Sequence, residues 1–316
     1  MRKTLIELAL KTLRCSQKDL AARLHVSPTQ ITKWKQGEHM STDMKTNIRS
    51  MIQIGEMDPN FVLMAGGHEN SRKWDKLVRF LADMADFNAE TGYVTYPLLD
   101  ELNLLGYNVF DTMGNMGVCI PGTFPSDLDF DYEEADDAAI ELVYKNPYAA
   151  LIYNILKSLT DIYGFYSAYV QELLDNDDLN LCGTSADNIE PCLIDLAAAK
   201  TEPDIKIAPK FPQFKQAILK DYVAWLTVVK EKAFQARVPL RAELLALVYN
   251  SNEELCNNAE AESLGLNSSR IHPDIYMNEL LEGMRTIHQV LPFIMKKMGI
   301  YEEFQLDLSN LNIRDN

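Results

Sequence analysis

The sequence predicts a mainly α-helical chain, with a small N-terminal helical unit followed by a larger helical body that carries a small β or irregular insert near residues 92–126. Three observations carry this reading. Apolar residues recur at helical spacing along most of the chain, and helix-start signals (Ser16 with Asp19, Ser27-Pro28, Asp58-Pro59) punctuate its first sixty residues. A length of 316 residues with 47% hydrophobic and 24% charged side chains also suits about two domains with real cores.

Ile6, Leu10 and Leu13 form one apolar stripe, which predicts a helix over 3–14. Ser16 and Asp19 read as a capping box for a second helix that buries Leu20, Ala21 and Leu24. Ser27-Pro28 repeats the start signal, because Ser caps well and Pro fits the first helical position. The third helix turns Ile31 and Trp34 inward, leaves Thr29, Gln30, Thr32, Lys33 and Gln36 on its other faces, and stops at Gly37. A fourth helix fits 43–54 through Met44, Ile48 and Met51. Asp58-Pro59 opens a fifth, and Gly66-Gly67 with the polar run after it marks the boundary between a unit of residues 1–66 and one of 67–316.

Charge separates the same two units. The net charge is -16, which taken globally disfavours a polyanionic partner. Residues 1–50, however, hold ten basic against four acidic side chains, a local +6, and the totals of 30 and 46 leave 20 basic and 42 acidic for the rest, a local -22. A basic head sits on an acidic body.

In Gln17, Leu20-Ala21, Leu24, Val26-Ser27, Ile31, Trp34 and Gly37, the segment 3–66 resembles the XRE-type (phage-repressor, Cro-like) helix-turn-helix transcription regulators. The resemblance implies a five-helix lambda-repressor-like DNA-binding domain with double-stranded DNA as its partner. In such motifs the second helix of the pair enters the major groove. That gives base edges to Pro28, Thr29, Thr32 and Lys33, phosphates at helix N-termini to Gln17 and Ser27, and non-specific attraction to Lys35 and Lys45. Two departures stand out. His25 occupies the turn position where the family most often has Gly in a left-handed conformation, and Lys35 replaces the acidic residue usual after the aromatic.

Beyond residue 67, Trp74, Leu77, Val78 and Leu81 resume a helical stripe, whereas Tyr93-Val-Thr-Tyr, Tyr107-Asn-Val-Phe and Val118-Cys-Ile carry strand propensity inside the insert. A helix is also compatible with 98–105. Later helices are predicted over 139–144, 148–174, 213–236, 240–250 and 273–298. Two stripes, Tyr153-Leu156-Leu159-Tyr163 and Leu280-Met284-Ile287-Leu291, have the look of a bundle core or a dimerising surface. The aromatic group Tyr163, Phe165, Tyr166 and Tyr169 is read as core packing in preference to a ligand cavity.

The sequence points to no chemistry. Asp127, Asp129 and Asp131 match the first three ligand offsets of a calcium loop, but Tyr132 stands where Gly is needed and Ala138 where a bidentate Glu belongs, so a solvated acidic loop is expected and no metal. The five histidines form no metal-binding pair, and no phosphate-binding or nucleophile motif occurs. The five cysteines are scattered without a CxxC and are read as reduced and inert. No apolar run reaches the ~18 residues a membrane span needs, and residues 1–10 do not read as a signal peptide, so a cytoplasmic protein is expected.

The leading expectation is a sequence-specific DNA-binding transcription regulator, a repressor, without cofactor or catalytic activity. Its body dimerises the chain or receives a protein or small-molecule effector. The alternative is an antitoxin or mobile-element control protein whose acidic body grips a protein partner. A DNA-tethered enzyme ranks third.

Overall fold

The computed structural model describes residues 2–187, 189–236, 238, 240, 242–266 and 273–301. It is mainly helical, with 68% helix and no strand among the described residues. Five short helices open the chain: α1 (Arg2–Thr12), α2 (Gln17–Arg23), α3 (Pro28–Lys35), α4 (Thr42–Met51) and α5 (Pro59–Met64). Four of them start on a side-chain cap, since Ser16, Ser27, Ser41 and Asp58 each accept a backbone N–H two or three residues on. Helix α4 ends three residues earlier than its apolar pattern predicts, because Gln53 and Gly55 take left-handed conformations. Ile6, Leu20, Ile31, Ile48 and Val62 are entirely buried in one cluster built from all five helices.

The remaining helices are α6 (His68–Phe87), α7 (Tyr96–Leu99), α8 (Leu105–Asn115), α9 (Asp137–Lys145), α10 (Pro147–Tyr169), α11 (Gln171–Leu174), α12 (Leu193–Ala199), α13 (Phe211–Ala236), α14 (Ala246–Tyr249), α15 (Asn252–Ser263) and α16 (Pro273–Met298). Helix α10 is the axis of this part, with α6, α12 and α15 packed around it. Its sequence explains the position: buried Leu151, Leu156, Thr160 and Phe165 lie on different sides of the helix, so more than one face must be covered. Gly164 lets the Thr91 loop lie directly on the helix, because a Cβ there would collide with Thr91. Tyr163, Phe165, Tyr166 and Tyr169 are all buried, two tilted pairs of rings packed within the core.

The strand expectation for 92–126 is corrected. Residues 107–110 lie in α8, where Leu105, Val109, Phe110 and Met113 recur at helical spacing and are buried. Asp100, in a left-handed conformation, accepts the N–H groups of Leu104 and Leu105 at 2.7 and 2.9 Å and starts that helix. Strand propensity of Tyr, Val and Phe gives way to packing of the helical stripe.

Helix α5 belongs to both cores. Val62 fills the N-terminal cluster, while Phe61 meets Phe110 of α8 edge to face, with ring centroids 4.9 Å apart, in the larger one. The Asn70 amide, donating to the Gly122 carbonyl (2.7 Å) and accepting from the Phe124 N–H (3.3 Å), pins the start of α6 to the 122–124 loop. At the other end of the chain, α16 packs on α13 and leaves much of its apolar surface uncovered. No helix among the described residues is long and apolar enough to cross a membrane.

Candidate functional site

Helices α2 and α3 form the first candidate surface. The capping box at α2 is complete: Ser16 Oγ accepts the Asp19 N–H (3.2 Å), and the Asp19 carboxylate accepts from the Ser16 hydroxyl (2.7 Å) and N–H (3.0 Å). The hydroxyl bond, followed by the backbone bond, holds the Asp19 carboxyl below its ordinary value. At α3, Ser27 Oγ accepts the Gln30 N–H at 3.2 Å, with Pro28 in the first turn. The turn between the helices runs through His25 at φ 54°, a left-handed conformation that a non-glycine residue adopts at some energetic cost. Its closing bond runs from the Val26 N–H to the Ala21 carbonyl at 2.9 Å.

One side of α3 is spent on the core through Ile31 and Trp34. The indole N–H of Trp34 donates to the His39 carbonyl (3.1 Å), which fixes the chain beyond the helix. The 3.6-residue repeat then sends Thr29, Thr32, Lys33 and Gln36 outward, with Pro28 at the edge, and all five are exposed. The Thr32 hydroxyl donates back to the Pro28 carbonyl (3.3 Å), which leaves its methyl group as the outward feature. Lys33 pairs with Glu38 at 3.3 Å, and both are about half exposed, so the pair is worth at most about 1 kcal/mol and is readily exchanged. Ser27 is exposed and Gln17 half-buried at the start of α2, while Lys35 and Lys45 are half-buried on the flanks. The structure thus gathers Pro28, Thr29, Thr32 and Lys33 on one face, joined by Gln36, with the half-buried Lys35 two turns along from Pro28 at its edge. Arg49 is spent internally, donating to the Gly55 (2.8 Å) and Met57 (2.7 Å) carbonyls.

A second candidate was not foreseen from the sequence. A polar cavity of about 730 Å³ lies between α10, α15, the chain after α6 and the chain after α12. Its charged lining is Glu90, Lys157, Glu202 and Glu253, all exposed at the rim, and the half-buried Asp161 on α10 and Lys200 at the end of α12. Burial pushes the Asp161 carboxyl up to about 6, against a lowering hydrogen bond from the Cys256 thiol. Burial brings the Lys200 ammonium down to about 8; it donates to the Asn250 carbonyl at 2.5 Å. Neither has an oppositely charged side chain within 4.0 Å among the described residues. Asn252 donates to Ser158 Oγ at 2.6 Å, and its own Oδ1 is shielded from solvent without a hydrogen bond among the described residues. The signal was hidden because these residues are widely separated in sequence and converge only when α15 packs on α10.

The raised Asp161 value makes a stability prediction. The folded state holds the proton more tightly than the unfolded one, so the burial penalty is absent below the ordinary 3.8, grows as pH rises, and is complete above about 6. Asp161→Asn should therefore stabilise the chain at pH 7.5 by about 1–2 kcal/mol, allowing for partial exposure, and leave it unchanged near pH 3.5. Urea unfolding at the two pH values checks this, and equal effects at both would refute it.

The acidic run near 127–137 is used structurally: Asp127 accepts from the Asn146 amide (3.0 Å), Asp129 pairs with Lys73, and Asp131 accepts the Glu133 N–H (3.1 Å). No group of three or more metal-ligating side chains occurs among the described residues. All five cysteines are free thiols. Burial raises Cys192 and also pushes Cys256 up to about 11, which keeps both protonated at neutral pH. Comparison of the chain with family models, curated proteins and solved structures yields no match.

Proposed function

We propose that the chain is a sequence-specific DNA-binding transcription regulator of the helix-turn-helix kind, acting as a homodimer. The outward face of α3 carries the reading: Thr29, Thr32, Lys33 and Gln36 stand exposed on a short helix whose other face is locked by Ile31 and Trp34, in a segment of local charge +6. A helix of this kind fits the major groove. There Lys33 exchanges Glu38 for guanine O6 or N7, and the methyl group of Thr29 or Thr32 meets that of thymine. Ser27 and Gln17 sit at helix starts suited to phosphate, and Lys35 and Lys45 add attraction from the flanks.

The dimer rests on α16. Met284, Ile287, Leu291, Ile294 and Met298 follow one another at alternating steps of three and four, and all are 44–67% exposed. Leu280, the first member of the predicted stripe, has a side chain outside the described residues. Val290, 45% exposed, widens the seam on one side. A two-fold axis would bring the same seam of a second copy against it. Pro292, in the last third of α16, removes one helical hydrogen bond there.

Selection of duplexes from a random pool by the full chain, followed by footprinting, tests the reading. A pseudo-palindrome with half-sites about one helical turn apart is the expected product. Lys33→Ala should weaken binding to that site by about 5- to 150-fold, equivalent to about 1–3 kcal/mol, and flatten the preference at one base pair per half-site. Absence of any enriched sequence would remove the proposal, and an unchanged preference in Lys33→Ala would remove this docking.

A further inference from the structure

The polar cavity between α10 and α15 poses a charge problem. Asp161 and Lys200 line the same space of about 730 Å³, both are half-buried while the other charged lining residues are exposed, and neither meets an opposite charge within 4.0 Å among the described residues. Two desolvated charges of opposite sign that share a cavity without pairing leave the free chain less stable than a paired or apolar arrangement would. The hydrogen-bonding inventory is similarly open, since Lys200 gives one proton to the Asn250 carbonyl and retains two. The volume lies within the 300–1,000 Å³ range of small-molecule sites, although the lining is more polar than is usual for them.

We propose that this cavity binds a small zwitterion, a free amino acid or short peptide, with its ammonium group on Asp161 and its carboxylate on Lys200. Each end of such a ligand supplies the opposite charge that neither side chain has within 4.0 Å among the described residues. Ser158, held by the Asn252 amide at 2.6 Å, fixes the side of the cavity between α10 and α15. The site is lined by residues 88–257, outside α1–α5, and is independent of the DNA-binding reading, so either can fail alone.

The pH profile follows from the surroundings. Asp161 faces the Cys256 thiol, Lys157 and Glu90, Lys200 feels Lys215 and Glu254, and the exposed carboxylates of Glu202 and Glu253 line the same space. Both charges are present together between about 6 and about 8, so binding should be strongest there, weakening below as Asp161 takes a proton and above as Lys200 loses one.

Calorimetric titration of the full chain tests the proposal, using the twenty common amino acids singly, then Gly-Gly and Gly-Gly-Gly. At least one probe should bind with Kd below about 1 mM at pH 7. Its N-acetylated and C-amidated forms, each lacking one charge, should each bind at least tenfold more weakly. Asp161→Asn and Lys200→Met should do the same to the intact ligand. Asp161→Asn is predicted to be more stable than the parent, so its loss of binding cannot be unfolding, and the blocked ligands test the point without altering the chain. Failure of every probe to bind, or equal binding of blocked and unblocked forms, overturns the proposal.

Discussion

Trp74→Ala should lower the unfolding free energy by about 3–5 kcal/mol, the usual cost of emptying a large aromatic site that cannot collapse. Trp74 is fully buried on α6 and packs edge to face against Phe110 (5.4 Å), Phe124 (4.9 Å) and Tyr148 (6.5 Å), so its loss removes the common partner of three elements. Its indole N–H has no hydrogen-bond partner among the described residues. Trp74→Phe keeps most of the ring volume and deletes that unsatisfied donor, so it should cost much less, under about 1.5 kcal/mol. Chemical denaturation of the two variants gives the comparison. Similar losses in both would mean that the indole itself, and not the filled volume, matters.

The other large effect is expected at α16. Glutamate at both Ile287 and Leu291, two exposed neighbours on the seam, places two charges where the dimer would bury apolar surface. Sedimentation should show the parent as a dimer at micromolar concentration and Ile287→Glu/Leu291→Glu as a monomer. Affinity for the selected palindrome should fall at least about 100-fold, because the second half-site then loses the high effective concentration that tethering provides. Circular dichroism should be nearly unchanged, since both side chains face solvent in the single chain. A parent that sediments as a monomer would end the dimer reading whatever the variant does.

What the sequence made legible follows the reach of each signal. Ser16 with Asp19, and Ser27 with Pro28, act within three or four residues, and the structure has both caps where the sequence puts them. Burial of Ile31 and Trp34, which decides that Thr29 and Lys33 face outward, follows from the helical repeat alone. Signals that depend on a distant partner were harder to read. Helix α8 carries strand-forming residue types, and its helical stripe shows its purpose only against Phe61 and Trp74. Helix α12 is a short run of small apolar residues, and its Asp195 finds its partner Thr112, at 2.6 Å, 83 positions away. Helix α15 does have a local signature, the Ser251 and Glu254 capping box, that the stripe-based reading passed over. The cavity has no local signature at all, since it is the gap left between packed helices.

The sharing of α5 between two cores means that the chain has no clean place to be cut. Severed at Gly66-Gly67, the N-terminal piece would carry Phe61 as a bare aromatic knob, and the remainder would keep an empty socket floored by Gly106, whose missing side chain makes room for that ring. Adjacent residues on six residues of helix answer to different interiors, Val62 to one and Phe61 to the other. Melting either interior unpicks the segment that stitches the other, so the two should come apart as one cooperative event. The glycine pair marks a seam in the cloth, not a hinge.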